Sequence, residues 1–148
     1  MDLLTWHKTN PIPTCSNKYL SDTKYVLFFR SKGKHLYGTY ETKRKWYVSP
    51  LNVADKKLYG HPTIKPLEFV KAMIGNSVTK EDGHTPIVLD PFMGSGTTAV
   101  ATKELGFDFI GFEIDPEYHA IAVKRLQESD PSDQPSKPMG LEAWGMTS

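Results

Sequence analysis

The stretch that most narrows what this chain can fold into is 86–126, PIVLDPFMGSGTTAVATKELGFDFIGFEIDPEYHAIAVKRL. Its apolar run Ile87-Val88-Leu89 ends in Asp90, the pattern of a buried parallel strand. Gly94-Ser95-Gly96 follows, a turn whose two glycines let the backbone pass close to a ligand. From Thr97 the spacing is helical, with Val100, Ala101 and Leu105 on one side and Gly106 ending the helix. Phe109-Ile110-Gly111-Phe112 predicts a second buried strand, ending at Glu113. Asp115 then caps a further helix, with Pro116 at its first position and Tyr118, Ile121, Ala122, Arg125 and Leu126 along one face. The order is β-α-β-α with a glycine turn at the first crossover, which predicts an α/β fold.

This order has chemical consequences. A turn feeding a helix N-terminus presents N–H groups and a positive dipole end above the strand. Glu113, at the tip of the neighbouring strand, is placed to accept both hydroxyls of an adenosine ribose. An adenosine-containing cofactor across the two strand ends is the reading; the blander one makes Gly94 and Gly96 a tight turn and Glu113 a solvated strand end. Gly94-x-Gly96-x-x-Ala99 also fits a dinucleotide fingerprint, so a nicotinamide or flavin site competes. Against a pyrophosphate, however, Asp90 beside the turn is a like-charge liability.

Length and charge set bounds. The 148 residues suffice for one domain, and 18 basic against 17 acidic residues give no global field that selects a partner. The single Cys15 excludes an internal disulfide framework and a multi-cysteine zinc site, and no metal site is expected. No run approaches a membrane span and Met1-Asp2-Leu3 opens no signal peptide, so a cytoplasmic protein of prokaryotic or phage type is expected.

Ahead of the glycine turn, Asp2–Trp6 reads as a strand that starts without a leading turn. Asn10-Pro11-Ile12-Pro13 is an extended loop, and Tyr25–Phe29 predicts a buried strand closed by Arg30. Residues 31–60 change character. Lys32, Lys34, Lys43, Arg44, Lys45, Lys56 and Lys57 face only Glu41 and Asp55, with Tyr37, Tyr40, Trp46, Tyr47 and Tyr59 interleaved. Cations for phosphates and rings for stacking suit a nucleic-acid surface. A solvated loop whose aromatics pack on the core fits the same composition. Leu67, Val70, Lys71 and Ile74 then share one side of a helix predicted to end at Gly75, and 76–85 is a polar connector. Residues 129–148, rich in Ser, Asp and Pro, read as a disordered tail after a domain of 1–128.

The full string DPFMGSGTT closely resembles motif I of the S-adenosylmethionine-dependent DNA amino-methyltransferases, which act on adenine N6 or cytosine N4. GFEIDPEYHAIAVKRL looks like their motif II, HPTIKP like their motif X, and WHKTNPIP with KYVLFFRSKG like the stretch around motif VIII. The resemblance covers almost all of 1–127, in the order VIII, X, I, II. It implies a Rossmann-like methyltransferase fold and S-adenosylmethionine as cofactor. The residues it assigns to the cofactor are Asp90, Phe92, Gly94, Ser95, Gly96, Thr97, Thr98, Glu113 and Asp115, with His61, Thr63 and Lys65 at the methionine end. It also places target recognition between motifs VIII and X, which favours DNA contact by Lys32, Lys34, Lys43, Arg44, Lys45 and Trp46.

One family motif is missing. Motif IV, an Asp, Asn or Ser followed by Pro-Pro and an aromatic, accepts hydrogen bonds from the target amine and stacks on the extruded base. The sequence contains no Pro-Pro pair; Asn10-Pro11-Ile12-Pro13 and Ser49-Pro50-Leu51-Asn52 come nearest, without the aromatic. No catalytic residue is therefore assigned within this chain. The resemblance implies a partial sheet without the motif IV strand, leaving Ile87-Val88-Leu89 an apolar edge for a partner polypeptide or a second copy to cover. The expected function is site-specific DNA methylation, adenine N6 before cytosine N4, by a subunit or truncated form. The alternative is a non-catalytic protein that binds S-adenosylmethionine or DNA and regulates a partner.

Overall fold

The computed structural model describes residues 1–13, 16–60, 64–80 and 83–129. Nine elements follow one another among them: β1 (Asp2–Lys8), β2 (Thr23–Phe28), β3 (Trp46–Ser49), α1 (Val53–Tyr59), α2 (Leu67–Ser77), β4 (Ile87–Asp90), α3 (Thr97–Glu104), β5 (Asp108–Gly111) and α4 (Pro116–Glu128). The strands form two sheets, one ordered β2-β1-β3 and one of β4 and β5. β1 runs antiparallel to β2 and parallel to β3. β4 and β5 are parallel, as the intervening crossover helix requires, with Val88 opposite Phe109 and Asp90 opposite Gly111.

α2 joins the two halves because it carries apolar residues on two faces. Phe69 and Ala72 pack with Trp6 and Tyr47 on the three-stranded sheet, and the Tyr47 and Phe69 rings stack 5.0 Å apart. Val70 and Ile74 pack with Ala101 of α3, and Val88 lies against that cluster. Met73 touches both groups, as an unbranched thioether filling the gap between them can. The helix does not stop at Gly75 but runs on to Ser77. A Cβ at Gly75 would meet nothing, so that glycine sits in the helix without a packing reason.

The polar connector expected from residue 76 also starts later, because Asn76 is buried. Its side chain donates to the Thr42 carbonyl at 2.7 Å and accepts from the Thr42 hydroxyl at 2.8 Å, while its carbonyl accepts from the Tyr37 amide. Asn76 thus pins the 31–60 segment to α2. That segment is no continuous loop either, since it contains β3 and α1. Four-residue β3 is too short for periodicity to reveal, and it forms by pairing with β1.

Burial of the strands is the main correction. Tyr25 and Leu27 of β2, with Phe29 just beyond, are exposed rather than buried. β2 is an edge strand, and helix α2 covers only the face that carries Val26. The same holds for the parallel pair, where Ile87 and Leu89 are 62% and 61% exposed and Ile110 and Phe112 48% and 59%. These four line the sheet face opposite α3, and β4 pairs with no strand but β5 among the described residues. Among the described residues β4 thus has an open edge, and an open face adjoins it. Beneath that edge runs a groove of about 320 Å³ lined by Val70, Met73, Ile74, Ser77, Ile87 and Val88, among others. Among the described residues no helix is long and apolar enough to cross a membrane.

Candidate cofactor site

The site grows from the carboxyl ends of β4 and β5. Asp90 ends β4, and its Oδ1 accepts from the Phe92 amide at 3.0 Å, which turns the chain. Backbone bonds tie the neighbouring strand end to this turn: the Phe112 amide donates to Asp90 O and the Met93 amide to Phe112 O. Met93 is buried, and its Sδ would lie 2.6 Å from a Cβ at Gly111, so a side chain there would make the methionine shift.

Gly94 and Gly96 both have positive φ, 53° and 76°. Gly96 is the N-cap of α3, and a Cβ on it would stand 2.7 Å from Ala122 Cβ of α4. Two constraints, backbone sign and close helix approach, coincide on that one residue. The turn's own amides are partly used. Gly94 N–H donates to Glu113 Oε2 at 2.7 Å, and Gly96 N–H to Met93 O at 2.9 Å. The donors left for a ligand are the first-turn amides of α3, from Thr97 onward, which have no acceptor within their own helix.

Glu113 is held from two sides, since Oε1 accepts from the Asp115 amide at 3.0 Å. The Asp115 amide is the main influence holding its carboxyl below the ordinary range, opposed by desolvation and reinforced by the Gly94 amide. Each carboxylate oxygen keeps a lone pair for a hydroxyl. Asp115 itself caps α4, accepting from the Glu117 and Tyr118 amides, with Pro116 following as expected.

Ser95 and Thr97 are buried, and their hydroxyls face inward. Arg125 of α4, 5% exposed, donates from Nη1 to Ser95 O at 2.6 Å, Thr97 Oγ1 at 3.2 Å and Ser95 Oγ at 3.3 Å. Ser95 and Thr97 therefore contribute shape and backbone to the site. The sequence places Arg125 on the inward face of α4 but not beneath the turn. A basic residue among Ile121, Ala122 and Leu126 is the signal that could have marked it. Phe92 is 87% exposed at the rim, open for a ring contact. Thr98 lies on the groove beside β4, its carbonyl taken by the Thr102 hydroxyl.

Of the motif X stretch, residues 64–66 are among those described. His61 and Thr63 lie outside the described residues. Ile64 is buried, at 1% exposure. Desolvation, then the charges of Lys24 and Lys56, pull the Lys65 ammonium below its ordinary pKa. Its charged surroundings are thus those of the three-stranded sheet and α1.

The basic segment divides. Tyr47 is core, and burial, with a smaller push from Glu68, raises its phenol to about 12. Trp46 and Tyr40 remain exposed, with the Arg44 guanidinium 5.2 Å and 5.9 Å from their ring centroids. Lys45 pairs with Asp2 at 2.5 Å, while Lys32, Lys34 and Lys43 are exposed. Lys43, Arg44, Lys45 and Trp46 are consecutive and stay together; Lys32 and Lys34 sit on a separate turn beside Arg30, which donates to the Lys34 carbonyl.

The family described as DNA methylase, of the N6/N4 type, matches residues 1–124. The type II methyltransferase M2.LlaDCHI of Lactococcus lactis subsp. cremoris is 38% identical over 139 residues, 84% of this chain and 50% of that protein. M2.DpnII of Streptococcus pneumoniae is 38% identical over 137 residues, again 84% and 50%. The chain spans about half the length of the curated relatives it matches. Among solved structures, M1.HpyAVI in complex with SAM is 32% identical with a TM-score of 0.65, covering 85% of this chain and 61% of that one. The cytosine-N4-specific PvuII DNA methyltransferase shares the fold, with a TM-score of 0.68 at 18% identity over 97% of this chain and 54% of that one. This chain belongs to the N6/N4 DNA methylase family.

Proposed function

We propose that this chain is the cofactor-holding half of a site-specific DNA methyltransferase that uses S-adenosylmethionine. The carrying observation is the Glu113 carboxylate, fixed across two strand ends by the Gly94 and Asp115 amides. It stands where the two hydroxyls of a ribose would meet it, beside the positive end of α3. Asp90 would face the cofactor's ammonium, Phe92 would pack on the cofactor, and Thr63 and Lys65, with His61, would close over its carboxylate. The cofactor supplies a methyl group on a sulfonium, which needs no activation by the protein. What the chain's residues do is hold that group still and face it towards the base.

The target amine needs acceptors and a stacking ring, and the sequence has no motif IV to supply them. We assign that role to a complementary segment, on the same or another polypeptide, that covers the bare face of β4 and β5. The exposure of Ile87, Leu89, Ile110 and Phe112 supports this. DNA would lie against Lys43, Arg44, Lys45 and Trp46, with Lys32 and Lys34 reaching further phosphates. Adenine N6 is the preferred target, as the commoner acceptor in the family. The bare face also favours a second reading, a non-catalytic binding protein that regulates a partner through it.

The test is transfer of tritiated methyl from S-adenosylmethionine to methylation-free DNA. It is run with this chain alone and with a polypeptide bearing motif IV from a relative. Incorporation only in the mixture is expected. Cofactor binding without incorporation in either case would favour the regulatory reading, and no cofactor binding would refute the methyltransferase reading and leave only a DNA-binding regulator.

A further inference from the structure

The least expected part of the molecule lies behind the glycine turn. Arg125 Nη1 has two hydrogens and three acceptors in reach. The 2.6 Å bond to Ser95 O takes one, and the hydroxyls of Ser95 and Thr97 share the other. Ser95 is the residue between Gly94 and Gly96, and its carbonyl shares a peptide plane with the Gly96 N–H, so fixing that oxygen fixes where this peptide points. A buried guanidinium is costly to leave loosely held. Here it faces the ring of Tyr59, 5.3 Å from Cζ to the centroid. Tyr59 is held in turn, since its hydroxyl donates to Glu128 Oε2 at 2.7 Å and Lys124 Nζ lies 5.9 Å from its ring.

Tyr59 is the last residue of α1, far from the turn in sequence, and it leads directly into the stretch that ends at Lys65. Glu128, Lys124 and Arg125 all lie on the last turns of α4. One aromatic ring thus bridges the end of the basic segment to the arginine beneath the cofactor turn.

We infer that Arg125 and Tyr59 are positioning residues for the glycine turn, Arg125 by fixing the Ser95 carbonyl and Tyr59 by holding Arg125, so that the cofactor site responds to the basic segment. This deepens the cofactor reading and rests on it for its functional consequence. Its structural content can be tested separately.

The experiment compares full-length wild type with Tyr59→Leu, Tyr59→Phe and Arg125→Lys, using amide NMR and calorimetry with S-adenosylmethionine. Tyr59→Leu is expected to shift the Gly94 and Gly96 amide resonances, speed hydrogen exchange over Ser95–Thr98, and weaken cofactor binding roughly tenfold. Tyr59→Phe keeps the ring and should leave those glycine resonances near their wild-type positions. Arg125→Lys keeps the charge but loses the forked reach to the Ser95 carbonyl and the two hydroxyls, and should move those resonances at least as far as Tyr59→Leu. A general loss of stability would spread shifts through the protein and would not rank the variants this way. Unmoved glycine amides in folded Tyr59→Leu and Arg125→Lys would overturn the inference. Moved glycine amides in a protein that does not bind S-adenosylmethionine would uphold it and refute the cofactor reading instead.

Discussion

The Gly94 amide donates a 2.7 Å hydrogen bond to Oε2 of Glu113, so the acid ending one strand holds the turn that ends its neighbour. The residue expected to grip the ribose is also a brace for the turn. Replacing it should therefore do two things at once.

Glu113→Ala is expected to weaken S-adenosylmethionine binding roughly tenfold, through unpaired hydroxyls and a freed Gly94 amide. Glu113→Gln keeps one acceptor oxygen, enough for one of its two amide partners, and should lose less. Calorimetry decides, and an unchanged affinity for the alanine variant would move the cofactor elsewhere.

The same brace is acid-sensitive. The Glu113 carboxyl is lowered from 4.5, mainly by the Asp115 amide, against desolvation, and then by the Gly94 amide. A depressed folded pKa stabilises the fold above the unfolded value and loses that contribution as pH falls through the folded one. The Gly94 amide resonance should hold steady at neutral pH and move only below 4.5, following the Glu113 carboxyl signal. A Gly94 resonance that titrates near neutrality would contradict this brace.

Gly96→Ala meets two penalties: a φ of 76° and a Cβ 2.7 Å from Ala122 Cβ. The backbone contributes about 1–2 kcal/mol and the clash about 1–3 kcal/mol. Urea denaturation should show their combined loss. Adding Ala122→Gly should restore only part of the steric loss, since the Ala122 Cα still stands 3.0 Å away and the φ penalty stays.

Substituting Lys43, Arg44 and Lys45 together by alanine should weaken DNA binding and flatten its salt dependence. Each lost phosphate contact removes about 0.9 from the slope of log affinity against log salt. Lys45→Ala alone should change the slope least, because Asp2 already neutralises that ammonium. An unaltered slope in the triple variant would leave this segment a solvated turn.

Tyr47 gives an alkaline signature. Its phenol is raised from 10 to about 12, by burial and then by Glu68. A raised folded pKa gives stability that is whole below the unfolded value and is lost as pH climbs through the folded one. Stability of the wild type should fall between pH 10 and about 12. Tyr47→Phe, which cannot ionise, should show a shallower fall over that window; identical curves would mean that Tyr47 titrates as an exposed phenol.

Much of the site was legible in the sequence because it is local. Asp90, Gly96 and the Asp115 cap lie on short, strongly patterned pieces and occupy the predicted ends of a strand and two helices, while β5 stops at Gly111, two residues short of Glu113. Whether a residue was buried was less legible. Tyr25, Leu27, Ile87 and Leu89 carry the composition of core strands, yet their burial depends on what lies against the other sheet face. Tyr47 is the reverse case, an aromatic within a basic segment that is core because Phe69 stacks on it.

By itself, then, the sequence determined the β-α-β-α unit, its glycine turn and the family, because hydrophobic period, caps and motifs act over a few residues. Only the tertiary structure decided which hydroxyls turn inward to Arg125, that Tyr59 reaches α4, that Asn76 anchors the basic segment, and that one face of the parallel pair is bare. Those are contacts between residues 28 to 69 positions apart, or the absence of a covering layer. No local pattern in a chain encodes either.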